Sequence, residues 1–328
     1  MQDLVVFVVE KSSVVRALAP LLSKYWPDKQ LYAITTTYIG LYEFRYPRGL
    51  SFNDFPYVAE PEWKARQTED GFSGSWEIRD GTASKSYLEP SSLLREAETV
   101  WCAVDPDASG VIAYHVLLTQ CLSEAEATVP RPALRIYALD AESIESALRS
   151  CDSTANAWFI EARNAGIARR FFDFNFNINS FSLFGVALRR AGVSESGMVT
   201  VSKYGLQLLY GLRGQAAASE GALVHSMQNW RGTGRYAPTA LGSPASRDEI
   251  LFRLQSAGLV ATKRDGGVLL SEKGESFLQQ LHPDCCDPDL PTRLRQWEAS
   301  WPASRPNIVR YLRTFFGKQK RFSAKTPA

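Results

Sequence analysis

Leu4-Val5-Val6-Phe7-Val8-Val9-Glu10 and Thr99-Val100-Trp101-Cys102-Ala103-Val104-Asp105-Pro106-Asp107 are the two stretches on which the fold turns. Each is an unbroken apolar run, rich in β-branched residues, that stops at an acid. A strand with one wet face alternates apolar and polar residues, whereas a parallel strand covered on both faces does not. After the first run, Ser12 and Ser13 offer N-cap hydroxyls to a helix over 14–24, closed by Pro27. After the second, 110–121 has a helical pattern. A third run over 133–138 precedes a helix over 141–150. Strands alternating with helices predict a doubly wound parallel sheet, that is, an α/β domain. Residues 38–90, rich in Tyr, Phe, Pro and Gly, read as an insertion on one edge of that sheet.

From residue 156 onward the strand signal fades. Helical patterns cover 157–168, 180–191, 204–212, 222–229 and 247–257. Short apolar runs at 258–262 and 267–270 predict a small β-wing, followed by a helix over 272–281. The expectation is therefore a first domain at 1–155 and a mostly α-helical second domain at 156–328 that contains a winged-helix-like module and ends in a basic tail.

Composition sets wider bounds. With 328 residues the chain can hold two domains with cores. Hydrophobic residues at 45% and charged residues at 22% describe an ordinary globular protein. The net charge of +2 gives no global attraction to nucleic acid. Charge is nevertheless concentrated at the end, where Arg293, Arg295, Arg305, Arg310, Arg313, Lys318, Lys320, Arg321 and Lys325 face a single acid, Glu298. Such a segment suits phosphates through counterion release, and it equally suits a solvated terminus. The five cysteines show no C-x-x-C spacing, which excludes a zinc knuckle. No stretch has the layout of a signal peptide or a membrane span, so a cytoplasmic location away from membranes is expected.

Ligands of open parallel sheets bind outside the carboxyl ends of the strands. Glu10 and Asp105 each end a strand, and Asp107 follows two residues on. Three carboxylates at one crevice would suit Mg²⁺, a hard cation that takes oxygen ligands and keeps waters for phosphate oxygens. Lys11 could neutralise a phosphate oxygen directly. Against this, acids at strand ends are common as helix caps, and Asp-Pro-Asp makes a turn without any ligand.

The flanking words carry a resemblance. Val9-Glu10-Lys11-Ser12-Ser13-Val14-Val15-Arg16-Ala17-Leu18-Ala19 resembles the opening Toprim motif of type IA DNA topoisomerases, particularly the topoisomerase III branch. Residues 35–42, Phe55-Pro56 and Glu62-Trp63-Lys64 look like that family's T-x-x-x-G-H-L and D-L-P…E-E-W-K. Asp105-Pro106-Asp107-Ala108-Ser109-Gly110 is similar to its D-P-D-R-E-G-E, and Arg135-Ile136 with 141–148 to its R-L-W…A-L. Further on, Ala168-Arg169-Arg170, Asp173-Phe174 and Ile178-Asn179-Ser180 resemble the family's A-R-x-x-x-D-W helix. Val201-Ser202 with Gln207 resembles S-V-G-R-V-Q-T. Leu241-Gly242-Ser243-Pro244-Ala245-Ser246-Arg247 is close to L-G-T-P-A-T-R, 270–274 to L-T-E-K-G, and 287–298 to the closing S-P-E-L…E-W-E. The matches run in order over nearly the whole chain.

The resemblance implies a Toprim domain, a Rossmann-like parallel sheet, with Mg²⁺ held by Glu10, Asp105 and Asp107 and with Glu10 and Lys11 at catalytic positions. It also implies single-stranded DNA in a groove between the two domains. Lys11, Arg16, Arg169, Arg170, Gln207, Ser243, Ser246 and Arg247 would contact the backbone. Trp230, Tyr204 and Phe174 are candidates for base stacking, although core packing is the better reading for Phe174 and Phe171.

The family's gate domains and its tyrosine nucleophile are inserted between the motifs at Gln207 and Leu241, and here only residues 208–240 separate them. Arg235-Tyr236-Ala237-Pro238-Thr239 superficially matches the tyrosine motif but lies where family order puts a loop, which leaves Tyr236 a distant candidate nucleophile. The family's Arg-Glu after Asp-x-Asp is Ala108-Ser109, its acid after the glycine is replaced by Val111 or deleted, and its G-H-L histidine is Leu41. The expected function is a truncated DNA-binding protein without strand passage, acting as an accessory or partner-dependent factor. A Mg²⁺-dependent nuclease, or half of a split topoisomerase whose gate comes from a protein partner docked near 213–220, are the alternatives.

Overall fold

The structure, a computed structural model, describes residues 3–36, 41–66, 71–194 and 201–325. The chain divides into two compact units, Met1–Arg45 with Glu62–Ile167 and Tyr46–Pro61 with Ala168–Ala328.

The first unit is built on a seven-stranded sheet. Its strands lie in the order β6 (Thr82–Lys85), β5 (Ser75–Arg79), β2 (Gln30–Thr35), β1 (Leu4–Val9), β7 (Thr99–Ala103), β8 (Pro132–Ala133) and β9 (Asp152–Ser153). The centre is parallel: β1 lies between β2 and β7, and β7 pairs with β8. All six residues of β1 are buried. Val5, Phe7 and Val9 pack with α1 (Ser12–Tyr25) and α5 (Ala141–Arg149). Leu4, Val6 and Val8 pack with α2 (Pro90–Glu96) and α3 (Ala108–Cys121). The period of two thus survives in space, but both faces are apolar, so it cannot show as polar alternation.

Several expectations change. β2 escapes a reading of the sequence because Gln-Leu-Tyr-Ala-Ile-Thr mixes polarity at an edge of the apolar signal, yet it pairs with β1 over its whole length. The third strand is far shorter than 133–138, since only Pro132 and Ala133 are in strand conformation. Helix α1 starts earlier than the serines imply: Lys11 is the N-cap residue and gives no side-chain cap bond. Ser12 already lies inside the first turn. Part of the 38–90 insertion does extend one edge of the sheet, where β5 pairs antiparallel with β2 and with β6. Its β3 (Tyr42–Phe44) and β4 (Trp63–Ala65) form a separate two-stranded sheet. The short α4 (Glu124–Ala127) and the edge strand β9 complete the unit with the start of α6 (Ala157–Arg190).

Helix α6 is one continuous element rather than two, and the second unit begins inside it at Ala168, not at residue 155. Residues 46–61 join this unit for a specific reason. Asn175 and Asn179, one turn apart and fully buried, present their side-chain amides to an extended segment. Asn175 accepts from the Ala59 amide and donates to its carbonyl, at 2.8 and 2.9 Å. Asn179 does the same for Tyr57, at 2.8 and 2.6 Å. The two side chains replace a partner strand.

The rest of the unit is largely helical: α7 (Lys203–Leu212), α8 (Glu220–Gln228), α9 (Pro244–Ser256), α10 (Glu272–Gln279), α11 (Leu290–Ala299) and α12 (Arg305–Lys325). Three further strands form a small sheet in the order β10 (Ala216–Ala217), β12 (Val268–Leu270) and β11 (Val260–Thr262). The edge strand β10 falls within 213–220, where a partner was expected to dock. The expected basic tail is helix α12, whose Ile308, Leu312, Phe315 and Phe316 enter a core with Phe172, Phe176, Phe184 and Phe277. Among the described residues, no helix is long and apolar enough to cross a membrane.

Candidate acidic site at the carboxyl ends of the sheet

Strands β1 and β7 run parallel with Val9 opposite Ala103, so their carboxyl ends deliver Glu10 and Asp105 to the same edge. The Asp105 carboxyl lies close enough to Glu10 to act on its protonation. Burial, followed by the close approach of the Asp105 carboxyl and the charges of Asp105 and Asp107, pushes Glu10 up to about 7, against a smaller opposing pull from Lys11.

Asp107 is positioned differently. It caps α3, with Oδ1 accepting from the amides of Ser109 and Gly110, both at 2.8 Å. The bland reading of Asp-Pro-Asp as a cap and turn is thus realised in Asp107, while Glu10 and Asp105 form the crowded pair. Gly110 makes the arrangement possible, since a Cβ there would stand 2.4 Å from the Asp105 carbonyl oxygen. A second close approach locks α3 from the other side: a Cβ on Gly166 would lie 2.6 Å from Ile112 Cβ and 2.7 Å from the Ala108 carbonyl oxygen.

These donors meet part of what a divalent cation requires. Glu10 and Asp105 are hard oxygen ligands, and the negative charge of Asp105 and Asp107 adds to burial in raising Glu10. However, among the described residues no three His, Cys, Asp or Glu side chains are placed to hold one ion. As the side chains stand, Glu10 and Asp105 are the two acids brought together, and Asp107 Oδ1 is committed to the helix cap. Lys11 is exposed beside the pair, and exposed Arg16 lies over the Trp76 ring, 6.0 Å from its centroid.

In the second unit, several expected DNA contacts are engaged internally. Arg169 makes a two-pronged bond to Glu298 at 2.9 and 3.1 Å, which holds its charge more firmly than usual. Arg170 is 3.9 Å from Asp173, and its buried Nε has no hydrogen-bond partner. Lys203 bonds to Asp173 directly. Burial alone would raise Asp173, but Lys203, Arg170 and Arg169 more than offset it and hold the carboxyl below its ordinary range. Gln207 is buried, donating to the Cys285 carbonyl at 3.1 Å and accepting from the Asp287 amide at 2.7 Å. Arg247 is buried with an unpartnered Nε. Ser243 and Ser246 bond to each other at 3.0 Å, near the surface at the start of α9.

The aromatic candidates are packed. Phe174 is buried and stacked on Tyr46 at 5.2 Å, as the core reading expects. Trp230 donates to the Pro288 carbonyl at 2.7 Å and closes on Gly211. Tyr204 lies under the Lys203 ammonium, 4.6 Å from its ring centroid. Tyr236 sits between α8 and α9 in the chain, with the Arg235 guanidinium 5.5 Å from its ring centroid. It belongs to the second unit, whereas Glu10 and Asp105 belong to the first. Of the 35–42 motif, residues 37–40 lie outside the described residues. Neither the Lys203–Asp173 pair nor the role of Asn175 was anticipated from the sequence. The i, i+4 spacing of Asn175 and Asn179 was the available signal for the latter.

No family model matches the sequence, and no curated protein matches it significantly. Among solved structures, the chain is similar to full-length topoisomerase I from Thermotoga maritima, with 14% identity and a TM-score of 0.40. The match covers 71% of this chain and 31% of that one, so the chain spans about a third of its neighbour.

Proposed function

We propose that this chain is a reduced type IA topoisomerase-like protein that binds single-stranded DNA and does not pass strands. In this reading the first unit is a Toprim domain and the second a helical DNA-binding core with a winged-helix-like module around α9, β11 and β12. The observation that carries the reading is the meeting of Glu10 and Asp105 at adjacent parallel strand ends, within the motif words that resemble the family. Glu10 and Asp105 would hold Mg²⁺, with Asp107 adding negative charge from its cap. Bound there, the ion would polarise a phosphodiester and offset its charge. Lys11 supplies a cation for a phosphate oxygen, and on the second unit the exposed Ser243 and the surface cations of α12 offer backbone contacts. A protein partner would supply a gate.

The test is a gel shift with single-stranded oligonucleotide at rising salt, with and without Mg²⁺. Binding should fall steeply with salt, and supercoil relaxation should be absent. No retention at low salt would sink the reading.

A second reading draws on one specific observation. The acids at the two strand ends would also serve metal-dependent phosphodiester hydrolysis with water in place of a tyrosine, Glu10 and Asp105 holding the ion. Mg²⁺- or Mn²⁺-dependent cutting that disappears in Glu10→Gln would establish it.

A further inference from the structure

The first unit holds a second recess, away from the acids. Tyr114 and His115 on α3, Arg131 ahead of β8, Thr154 just after β9 and Arg163 on α6 line a space of about 200 Å³. Residues 127–131 precede β8, which runs parallel to β7, so the recess lies toward the amino ends of these strands. Glu10 and Asp105 lie at the opposite, carboxyl ends.

Its chemistry is one-sided. No Asp or Glu lines it. Among the described residues Arg163 has no ion-pair partner. Arg131 is fixed by backbone carbonyls, those of Glu126 at 2.7 Å and Val129 at 2.8 Å, with no carboxylate to neutralise it. Thr154 Oγ1 accepts from the Arg131 amide at 2.9 Å, which leaves its own proton to donate. The Tyr114 hydroxyl is buried without a hydrogen-bond partner. His115 is held neutral, pushed down to about 4 first by burial and then by the Arg163 charge. A neutral imidazole still offers one N–H donor.

A buried hydroxyl without an acceptor, Tyr114, beside an unneutralised guanidinium is costly unless an acceptor-rich group joins them. We propose that this recess is an oxyanion site that takes a phosphate group, gripped by Arg163 with donors from His115, Thr154 and Tyr114. Phosphate is favoured over a carboxylate because it brings enough oxygens for a guanidinium fork and three further donors. The volume is below that of pockets for drug-sized ligands. The occupant is therefore inorganic phosphate, or the phosphate end of a molecule whose remainder stays in solvent. The site is independent of the DNA reading.

Calorimetric titration of the full chain with inorganic phosphate, at ionic strength held constant with chloride, tests the assignment. Saturable one-to-one binding is expected, weakened roughly tenfold or more in Arg163→Gln and retained in Arg79→Gln, a change at an exposed guanidinium outside both sites. The His115 ring resonances of the unmodified protein should move along the same titration curve, a readout that does not depend on how the variant folds. Adenosine monophosphate binding more tightly than phosphate would mark the group as the end of a nucleotide-like ligand, and equal binding would mark the free ion. Acetate binding as well as phosphate, binding undiminished in a folded Arg163→Gln, or unmoved His115 resonances would overturn the proposal.

Discussion

Glu10 stands at a point of conflict. The apolar strand that carries it draws it out of water, and the neighbouring strand end brings Asp105 against it. Its folded value of about 7 exceeds the ordinary 4.5, so the folded protein holds a proton there that the unfolded chain releases. The sign follows: this contribution to stability is fully present below about pH 4.5 and is lost as pH rises through about 7. The loss should be on the order of 1–2 kcal/mol once solvent screening of a partly exposed group is allowed for. Calorimetric melting from about pH 5 to about pH 8 should show it. Glu10→Gln should flatten that slope, and Mg²⁺ should reduce it in the unmodified protein if the pair binds the ion. In Asp105→Asn, Glu10 should titrate closer to its ordinary value when followed by carboxyl carbon NMR. Gly110→Ala forces a Cβ onto the Asp105 carbonyl. It should cost about 1–3 kcal/mol by overpacking and move Asp105 off Glu10, read as a fall in the Glu10 pKa.

Among the elements, α6 and α12 carry the clearest consequences. Asn175 and Asn179 satisfy both backbone groups of Ala59 and of Tyr57. Asn175→Ala or Asn179→Ala should each destabilise by about 1–3 kcal/mol, because half-buried peptide groups lose their partners and a fully buried side chain is removed. Faster amide exchange at Tyr57 and Ala59 than at Leu208 would locate the damage in segment 46–61. Undiminished protection there would show that other contacts hold the segment. Helix α12 separates two roles by face. Phe316 is fully buried, so Phe316→Ala should cost about 3–5 kcal/mol. Arg310, Arg313 and Arg321 are exposed on the same helix. Replacing all three with Gln should leave the melting temperature nearly unchanged.

At the scale of the molecule, charge and its use diverge. The net charge is +2, too little for steering by overall field, so any DNA affinity must come from local faces. Arg305 pairs with Glu60, Lys318 with Asp284, and Lys320 donates to the Phe55 carbonyl at 2.7 Å. The basic character of the C-terminal region is therefore partly consumed in folding. The triple Gln variant of α12 should lower the salt slope of single-stranded DNA binding by roughly 0.7 for each phosphate that the helix no longer neutralises. An unchanged slope would place the DNA elsewhere on the surface.

The parallel core and the convergence of Glu10 and Asp105 were legible in local sequence. Six consecutive apolar residues ending at Glu10, and a second run ending at Asp105, admit few arrangements other than adjacent buried strands, and strand ends of one direction converge. Local sequence also marked α9 and the β11–β12 pair, whose periods and punctuation are local. What it could not determine was set by partners distant along the chain. Whether Asp107 would face an ion or cap its own helix depended on where the α3 amides pointed. Whether Arg169 and Gln207 were free for DNA depended on Glu298 and on the backbone of Cys285 and Asp287, residues far along the chain. The membership of 46–61 rested on two asparagine side chains acting as a strand, and the basic tail became a core helix because its aromatic stripe found other phenylalanines. Local propensity is written in neighbours, whereas the satisfaction of a buried polar or charged group is decided by whatever the fold places opposite it.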